Sequence, residues 1–396
     1  MRPIRIGMLT HSTNPRGGVV HAMELSEALH ELGADVTLLA VDEPGKVFSR
    51  PLQCESRVLP ITTVQANLKS RVKAAVAEYL TLFSRSECAR YDILHAQDAI
   101  SGCALAELNE KGYLPHGFIR TVHHLDEFSD PILAKWQSRS FTAARQLLCV
   151  SNTWMEILRK SHGLSALKVS NGVNLSRFSA VPHSDDLLLK EKIGLTLGGP
   201  IFLAVGGVES RKNTRHIFES FLLVRKCHPN AQLLIVGGAS LQDHSDYRAR
   251  FDADVAESGL TVGPGEAVII TGPLPDKDMP GVFRLADALV FASQVEGFGL
   301  VVLEALVSGT PVIVSKKPPF TEYLEAEDCI WTDPDDVRAI ADSMLDAIKA
   351  YPPETVLIRG QKLAKRFSWR DSALTHLEIY RRFLSLSTQE TQACPK

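Results

Sequence analysis

The sequence predicts an α/β protein of two doubly wound parallel sheets placed in series. Short apolar runs alternate with amphipathic stretches in both halves, the rhythm of parallel strands joined by crossover helices. A chain of 396 residues exceeds one ordinary core and suggests two domains. Between the halves, 179–199 breaks the rhythm with Pro182-His183-Ser184-Asp185-Asp186 and Gly198-Gly199-Pro200. The predicted division is 1–180 for a first domain, 181–199 for a linker, 200–366 for a second domain, 367–386 for a last helix and 387–396 for a frayed polar tail. Such sheets bind ligands at the carboxyl ends of their strands, so the two domains are expected to face one another across a cleft.

In the first half the strands read as Ile4–Leu9, Asp35–Ala40, Ile93–Ala96, Phe118–Val122 and Gln146–Val150, with a short extended piece at Lys168–Ser170. Val19–Leu32 has helical spacing and stops at Gly33, a good cap. A second helix is expected over Leu68–Phe83 and a short one over Leu187–Ile193. The second half repeats the pattern with Ile201–Val205, Gln232–Val236, Ala267–Thr271, Ala288–Ala292 and Pro311–Val314. After Pro352-Pro353 the chain reads as helical to about Leu386.

Apolar content of 45% with 22% charged residues belongs to a globular protein, and a net charge of −3 gives no reason to expect a nucleic-acid partner. Cysteines 54, 88, 103, 149, 227, 329 and 394 are odd in number, scattered, and without a Cys-x-x-Cys pair. They read as reduced thiols of a cytoplasmic protein. No stretch suggests a signal peptide or a transmembrane helix. Lys69, Arg71, Lys73 and Arg85, on or beside Leu68–Phe83, form either a solvated face, the simpler reading, or a peripheral contact with the inner membrane face.

Residues 293–311 are the most informative stretch. The strand Ala288–Ala292 delivers the chain to Glu296-Gly297-Phe298-Gly299, and a helix begins near Leu300. Glycines just before a helix expose backbone N–H groups at the positive end of its dipole, a combination that binds phosphate. Glu304 follows Glu296 by eight residues. Part of that span is loop and the rest rises along a helix, so the carboxylates are expected on the order of 10 Å apart. A diphosphate fits between them, with a carboxylate on each flanking sugar ring.

Gly206-Gly207-Val208-Glu209-Ser210-Arg211-Lys212-Asn213 follows the strand Ile201–Val205. Its guanidinium and ammonium suit a diphosphate leaving group. Thr121-Val122-His123-His124 ends another strand; neighbours on an extended chain point apart, and no third ligand is evident, so no metal site is expected. Asn14-Pro15-Arg16-Gly17-Gly18 joins the first strand to the first helix without a dinucleotide fingerprint. Asp333-Pro334-Asp335-Asp336 reads as a turn capping the next helix.

The string from Glu296 to Glu304, with Gly309-Thr310-Pro311-Val312 behind it, resembles the signature of the group 1 family of retaining glycosyltransferases with the GT-B fold of two Rossmann-like domains. The resemblance runs from about Ile4 to Leu386 and is weakest in 41–115. It implies transfer of a hexosyl group from a UDP- or GDP-linked sugar with anomeric configuration retained. Glu296 would hold the sugar, Glu304 the ribose, and Gly297, Phe298, Gly299 and Leu300 the diphosphate. Lys212 maps onto the family lysine. The family arginine usually follows the first glycine, where this chain has Gly207, so Arg211 would supply the second charge. Thr121 and His123 match a Thr-x-His element whose histidine lies near the donor sugar, with His124 the alternative. Gly17 and Gly18 would lie over the diphosphate, while Gly237 and Leu274 would flank the nucleotide. Asn171-Gly172-Val173-Asn174 resembles a structural segment, with Asn174 in place of the usual Asp. The last helix, headed by Trp369 as an anchor, would cross back to the first domain.

No cofactor beyond the nucleotide sugar is implied, and no divalent metal. The acceptor is left open among a sugar, a lipid-linked sugar and a small molecule. A sugar-nucleotide epimerase or hydrolase and a non-catalytic nucleotide-sugar-binding protein are the alternatives; a dehydrogenase lacks its glycine fingerprint.

Overall fold

Two all-parallel sheets organise the chain. The computed structural model describes residues 2–62, 67–238, 245–350 and 353–393. These form two units, one holding the chain up to Gly172 and again from Phe367, the other Val173–Arg366.

Among the described residues, the first unit has strands β1 (Arg5–Thr10), β2 (Asp35–Asp42), β3 (Glu55–Pro60), β4 (Ile93–Ala96), β5 (Ile119–Val122), β6 (Gln146–Cys149) and β7 (Ala166–Lys168), in the order β3-β2-β1-β4-β5-β6-β7. In β1, Leu9 sits opposite Leu39 on one side and Ala96 on the other. Ile6, Met8 and Leu9 are fully buried, because helices cover both faces of a doubly wound sheet. The helix Gly17–Glu31 follows β1, and Gly33 takes φ +86° just beyond its end, as the capping pattern predicts.

The second unit has β8 (Ile201–Val205), β9 (Gln232–Val236), β10 (Val268–Gly272), β11 (Ala288–Phe291), β12 (Val312–Ser315) and β13 (Ile330–Thr332), in the order β10-β9-β8-β11-β12-β13. Its core holds Phe202, Phe218, Phe221 and Phe251, all fully buried. Strand order reverses between β1 and β4 in the first unit and between β8 and β11 in the second. The crevice beyond the carboxyl ends of such a strand pair is where doubly wound sheets bind ligands.

Sequence periodicity misses β3 and β13. Edge strand β3 carries Glu-Ser-Arg-Val-Leu-Pro, with no apolar run because no buried residue is required there. β13 spans three residues. The unit boundary also differs from the predicted one: it falls at Gly172/Val173 instead of after 180, and the expected linker 181–199 belongs to the second unit. Side chains explain the shift. Arg177 pairs with Asp276 at 2.5 Å, the Phe178 ring meets Phe283 edge-on at 5.9 Å, and Asp186 pairs with Arg284 at 2.7 Å.

The last helix, Trp369–Ala393, packs on Gly17–Glu31 and is part of the first unit. It outruns the predicted end at 386, since no glycine or proline intervenes before Pro395. Trp369 is buried and meets His21 edge-on at 5.4 Å, and a Cβ on Gly172 would collide with the Trp369 backbone. Positions 394–396, Cys394 among them, and Pro352 lie outside the described residues.

Cys54, Cys88, Cys103, Cys149 and Cys329 are buried free thiols and Cys227 is exposed. Burial pushes Cys103, Cys149 and Cys329 up to about 12, which keeps them protonated and unreactive. Of the basic group near Leu68–Leu82, Lys69 pairs with Asp130 at 2.8 Å and the Arg85 guanidinium sits 5.4 Å from the Tyr113 ring centre. Among the described residues no helix is long and apolar enough to cross a membrane.

Candidate active site

In the second unit, the loops after β8 and β11 meet at the switch point. The first opens with Gly206 at φ +127° and Gly207 at φ +77°. A Cβ on Gly206 would fall 2.5 Å from Lys212 Cε, so the missing side chain is what lets the lysine stem pass. A Cβ on Gly207 would lie 3.0 Å from the carbonyl oxygens of both Gly237 and Gly238. The position usually occupied by the family arginine is therefore built for glycine. Gly207→Arg is expected to cost about 1–3 kcal/mol through the left-handed backbone, read as a lower urea midpoint of the second unit; an unchanged midpoint would contradict this account of the loop.

The loop ends in a single turn, Ser210–Lys212, and Asn213 takes φ +60° at the start of the helix Thr214–Arg225. Asparagine tolerates that conformation better than most side chains. Its buried Nδ2 donates to Ala292 O at 3.1 Å and Pro334 O at 2.6 Å, tying the loop after β8 to that after β11. Gln294 N adds a bond to Arg211 O at 2.8 Å.

This lacing brings charges together. Lys212 Nζ lies 2.7 Å from Glu296 Oε1, and Arg211 Nη1 lies 3.2 Å from the same oxygen. Arg211 Nη2 is 3.7 Å from Glu209 Oε2. The Lys212 ammonium also sits 4.4 Å from the centre of the Phe291 ring. Burial works against the Glu296 carboxylate, yet Lys212 and Arg211 outweigh it and hold its pKa below the usual carboxylate range. Burial lowers the Lys212 pKa, with Glu296 opposing the shift. Arg211 and Lys212 thus place two cations on one Glu296 oxygen.

Gly299 takes φ +92° directly before the helix Leu300–Val307, and its Cβ would meet Phe320 at 2.7 Å. Gly297 and Leu300 are buried, and Glu304 is half-buried on that helix. The Phe298 ring stacks on Tyr323 at 4.6 Å inside the fold, so Phe298 has only its backbone to offer a ligand. Gly237, at φ +121°, packs against the Gly206-Gly207 turn, and Leu274 is half-buried after β10. Asp336 Oδ1 accepts from Arg338 N and Ala339 N, making the acidic run a helix cap.

In the first unit, Thr13 N and Oγ1 donate to Asp42 Oδ2 at 2.8 and 2.7 Å, pinning the loop that leads to Gly17 and Gly18. A Cβ on Gly17 would meet nothing within 4 Å, whereas one on Gly18 would be 3.4 Å from His123 Cδ2. His123 Nε2 is 3.0 Å from Gln97 Oε1. Burial, with His21 and Arg120 nearby, holds the His123 pKa well below its ordinary range, so the ring is neutral at pH 7. His124 turns the other way, 3.4 Å from Asp126 and edge-on to Trp154 at 6.5 Å. Among the described residues no group of three His, Cys, Asp or Glu is placed to hold a metal.

Sequence reasoning overlooked Asn213, Gln97 and Asp42. Asn213 had a legible signal, an asparagine immediately before a helix; Gln97 is a polar residue just after a central strand. Asp42 had none, because its partner Thr13 is distant in sequence.

Comparison with known proteins agrees with the architecture. Residues 186–363 match the family described as glycosyl transferases group 1, and residues 15–177 match glycosyltransferase family 4. A D-inositol 3-phosphate glycosyltransferase of Xylanimonas cellulosilytica is 24% identical over 95% of this chain and 96% of the relative. O-antigen chain mannosyltransferase B of Escherichia coli is 28% identical over 68% and 72%. Among solved structures, sucrose-phosphate synthase from Thermosynechococcus elongatus matches with a TM-score of 0.76 at 21% identity, covering 97% of this chain and all of that one (100%). Anabaena HepE in complex with UDP-glucose matches with a TM-score of 0.77 at 16% identity, covering 96% and 100%. Two family matches that together span most of the chain, on two Rossmann-like units of the GT-B fold, place this protein in the group 1 family of glycosyltransferases, which use nucleotide sugars.

Proposed function

We propose that this protein transfers a hexosyl group from a UDP- or GDP-linked sugar to a hydroxyl of a sugar, lipid-linked or small-molecule acceptor, with retention at the anomeric carbon. The observation that carries this reading is the Lys212–Glu296–Arg211 cluster at the β8/β11 switch point. Two cations suit the charge that grows on a departing diphosphate, and their partly buried setting strengthens the attraction. The N–H groups ahead of Leu300 add to them. Glu296, kept ionised, accepts hydrogen bonds from sugar hydroxyls, and Glu304 takes the ribose diol, so the anomeric carbon is oriented before reaction. The bond from that carbon to the phosphate oxygen breaks as one to the acceptor oxygen forms on the same face. The acceptor's proton passes to the leaving phosphate. No separate protein base is required, and Lys212 with Arg211 does the work a divalent metal does elsewhere.

Incubation with UDP-, GDP- and ADP-sugars, with and without acceptors, tests the proposal through nucleotide release. Acceptor-dependent release, unaffected by EDTA and giving a product whose anomeric coupling by NMR matches the donor's, is expected. Release that ignores every acceptor would indicate an epimerase or hydrolase, and tight binding without release a binding protein; either result overturns the proposal.

A further inference from the structure

Gln97 directly follows β4 at the switch point of the first unit and is 2% exposed. Its side chain has a distinct neighbour at each end. Nε2 lies 2.9 Å from Met8 Sδ and 3.3 Å from His95 Nε2, while Oε1 lies 3.0 Å from His123 Nε2. A thioether sulfur accepts hydrogen bonds and cannot donate. The amide NH2 must therefore face Met8, or an oxygen lone pair would oppose the sulfur. His95 agrees with this orientation: its Nε2 is 2.7 Å from Thr121 Oγ1 and its Nδ1 is 2.8 Å from Tyr380 Oη. In the tautomer whose Nδ1–H donates to Tyr380, the His95 Nε2 lone pair faces Thr121 Oγ1 and the Gln97 amide as an acceptor.

With the amide so oriented, Gln97 presents only its oxygen to His123. An amide oxygen accepts and never donates, so His123 Nε2 carries a hydrogen. A neutral imidazole has one N–H, which leaves Nδ1 bare. We infer that Gln97 is a positioning residue that locks His123 in its Nε2–H tautomer, so that His123 meets a ligand through Nδ1 as a hydrogen-bond acceptor. The consequence is chemical selection. The group that touches Nδ1 must be a donor, such as a hydroxyl; a phosphate or carboxylate oxygen meets a lone pair and is rejected. Within the function proposed above, on which this assignment of ligand rests, His123 reads a sugar hydroxyl and does not bind the diphosphate.

Long-range 1H–15N correlation on the histidine-labelled full chain, with the His123 signals assigned by their loss in His123→Ala, tests the tautomer without any substrate. A pyrrole-type Nε2 and a pyridine-type Nδ1 are expected in the native protein. Gln97→Glu, which keeps an acceptor, should retain that pattern, and Gln97→Met, which has no strong acceptor, should show both tautomers and about tenfold lower kcat/KM. A proton on Nδ1 in the native protein overturns the inference even if both variants fail to fold; so does an unchanged tautomer in folded Gln97→Met. Because the spectrum needs no turnover, an Nε2–H signature in a protein that transfers no sugar would count against the proposed function alone. Sugar transfer by a protein with Nδ1–H would count against Gln97 alone.

Discussion

Lys212→Ala is expected to lower kcat at least about a hundredfold, the scale on which one oriented stabiliser of developing charge acts. The ammonium is not a free surface charge: it lies 2.7 Å from Glu296 Oε1, and the Glu296 side chain is 8% exposed. Removing it takes a cation from the proposed diphosphate site and leaves a buried carboxylate with less compensation. Turnover and folding stability should therefore fall together. Lys212→Arg should not restore activity, because the lysine stem lies against Gly206, where not even a methyl group has room. Glu296→Gln should be comparably damaging by the reverse route, leaving Lys212 buried beside Arg211 with no carboxylate between them. Steady-state kinetics with a urea titration on each variant and on the double variant separates the two effects. Strong coupling between the two positions is expected; native kinetics in Lys212→Ala would remove this cluster from the mechanism.

Acidification from pH 7 to pH 5 is expected to destabilise the first unit by several kcal/mol, before most carboxylates titrate. Three fully buried histidines from three different helices and strands lie close together there. Ring centroids are 6.2 Å apart for His21 and His376, and 6.0 Å for His95 and His376. Burial lowers all three pKa values, with neighbouring histidines adding to the shift for His21 and His95. His21 falls to about 3, His376 to about 4, and His95 lies well below the ordinary 6.5. In the unfolded chain these groups take up protons near 6.5, whereas in the folded unit they do not. Their contribution to stability is thus complete above that pH and shrinks as pH falls from there toward the folded values. Each group contributes a slope of up to about 1.4 kcal/mol per pH unit in that window. Asp92, lowered to about 2, loses its share only in stronger acid. Urea midpoints measured from pH 7.5 to 5 should track this slope, and His376→Gln should flatten it by one group's share. An identical slope in that variant would mean that His376 titrates normally.

Local pattern was enough to read the doubly wound architecture, since strands buried on both faces must be continuously apolar. It was also enough to single out the Glu296–Glu304 string and the Lys212 loop, because the members of each are neighbours in sequence. The loop leading to Gly17 and Gly18 was legible only as a turn, and β3 and β13 were not legible, β3 because an edge strand needs little apolar content and β13 because it spans three residues. What only the tertiary structure decided is which of these groups touch. Lys212 and Glu296 are separated by 84 residues and share one oxygen contact because strand order reverses between β8 and β11. Arg211 reaches the same Glu296 oxygen at 3.2 Å, a meeting across 85 residues that its place in the loop does not reveal. The unit boundary at Gly172 follows from Arg177, Phe178 and Asp186 finding partners in the second unit, although turn composition marks a later position. Periodicity along a chain records how deeply each residue is buried, whereas partnership between distant residues depends on strand order, which no local spacing encodes.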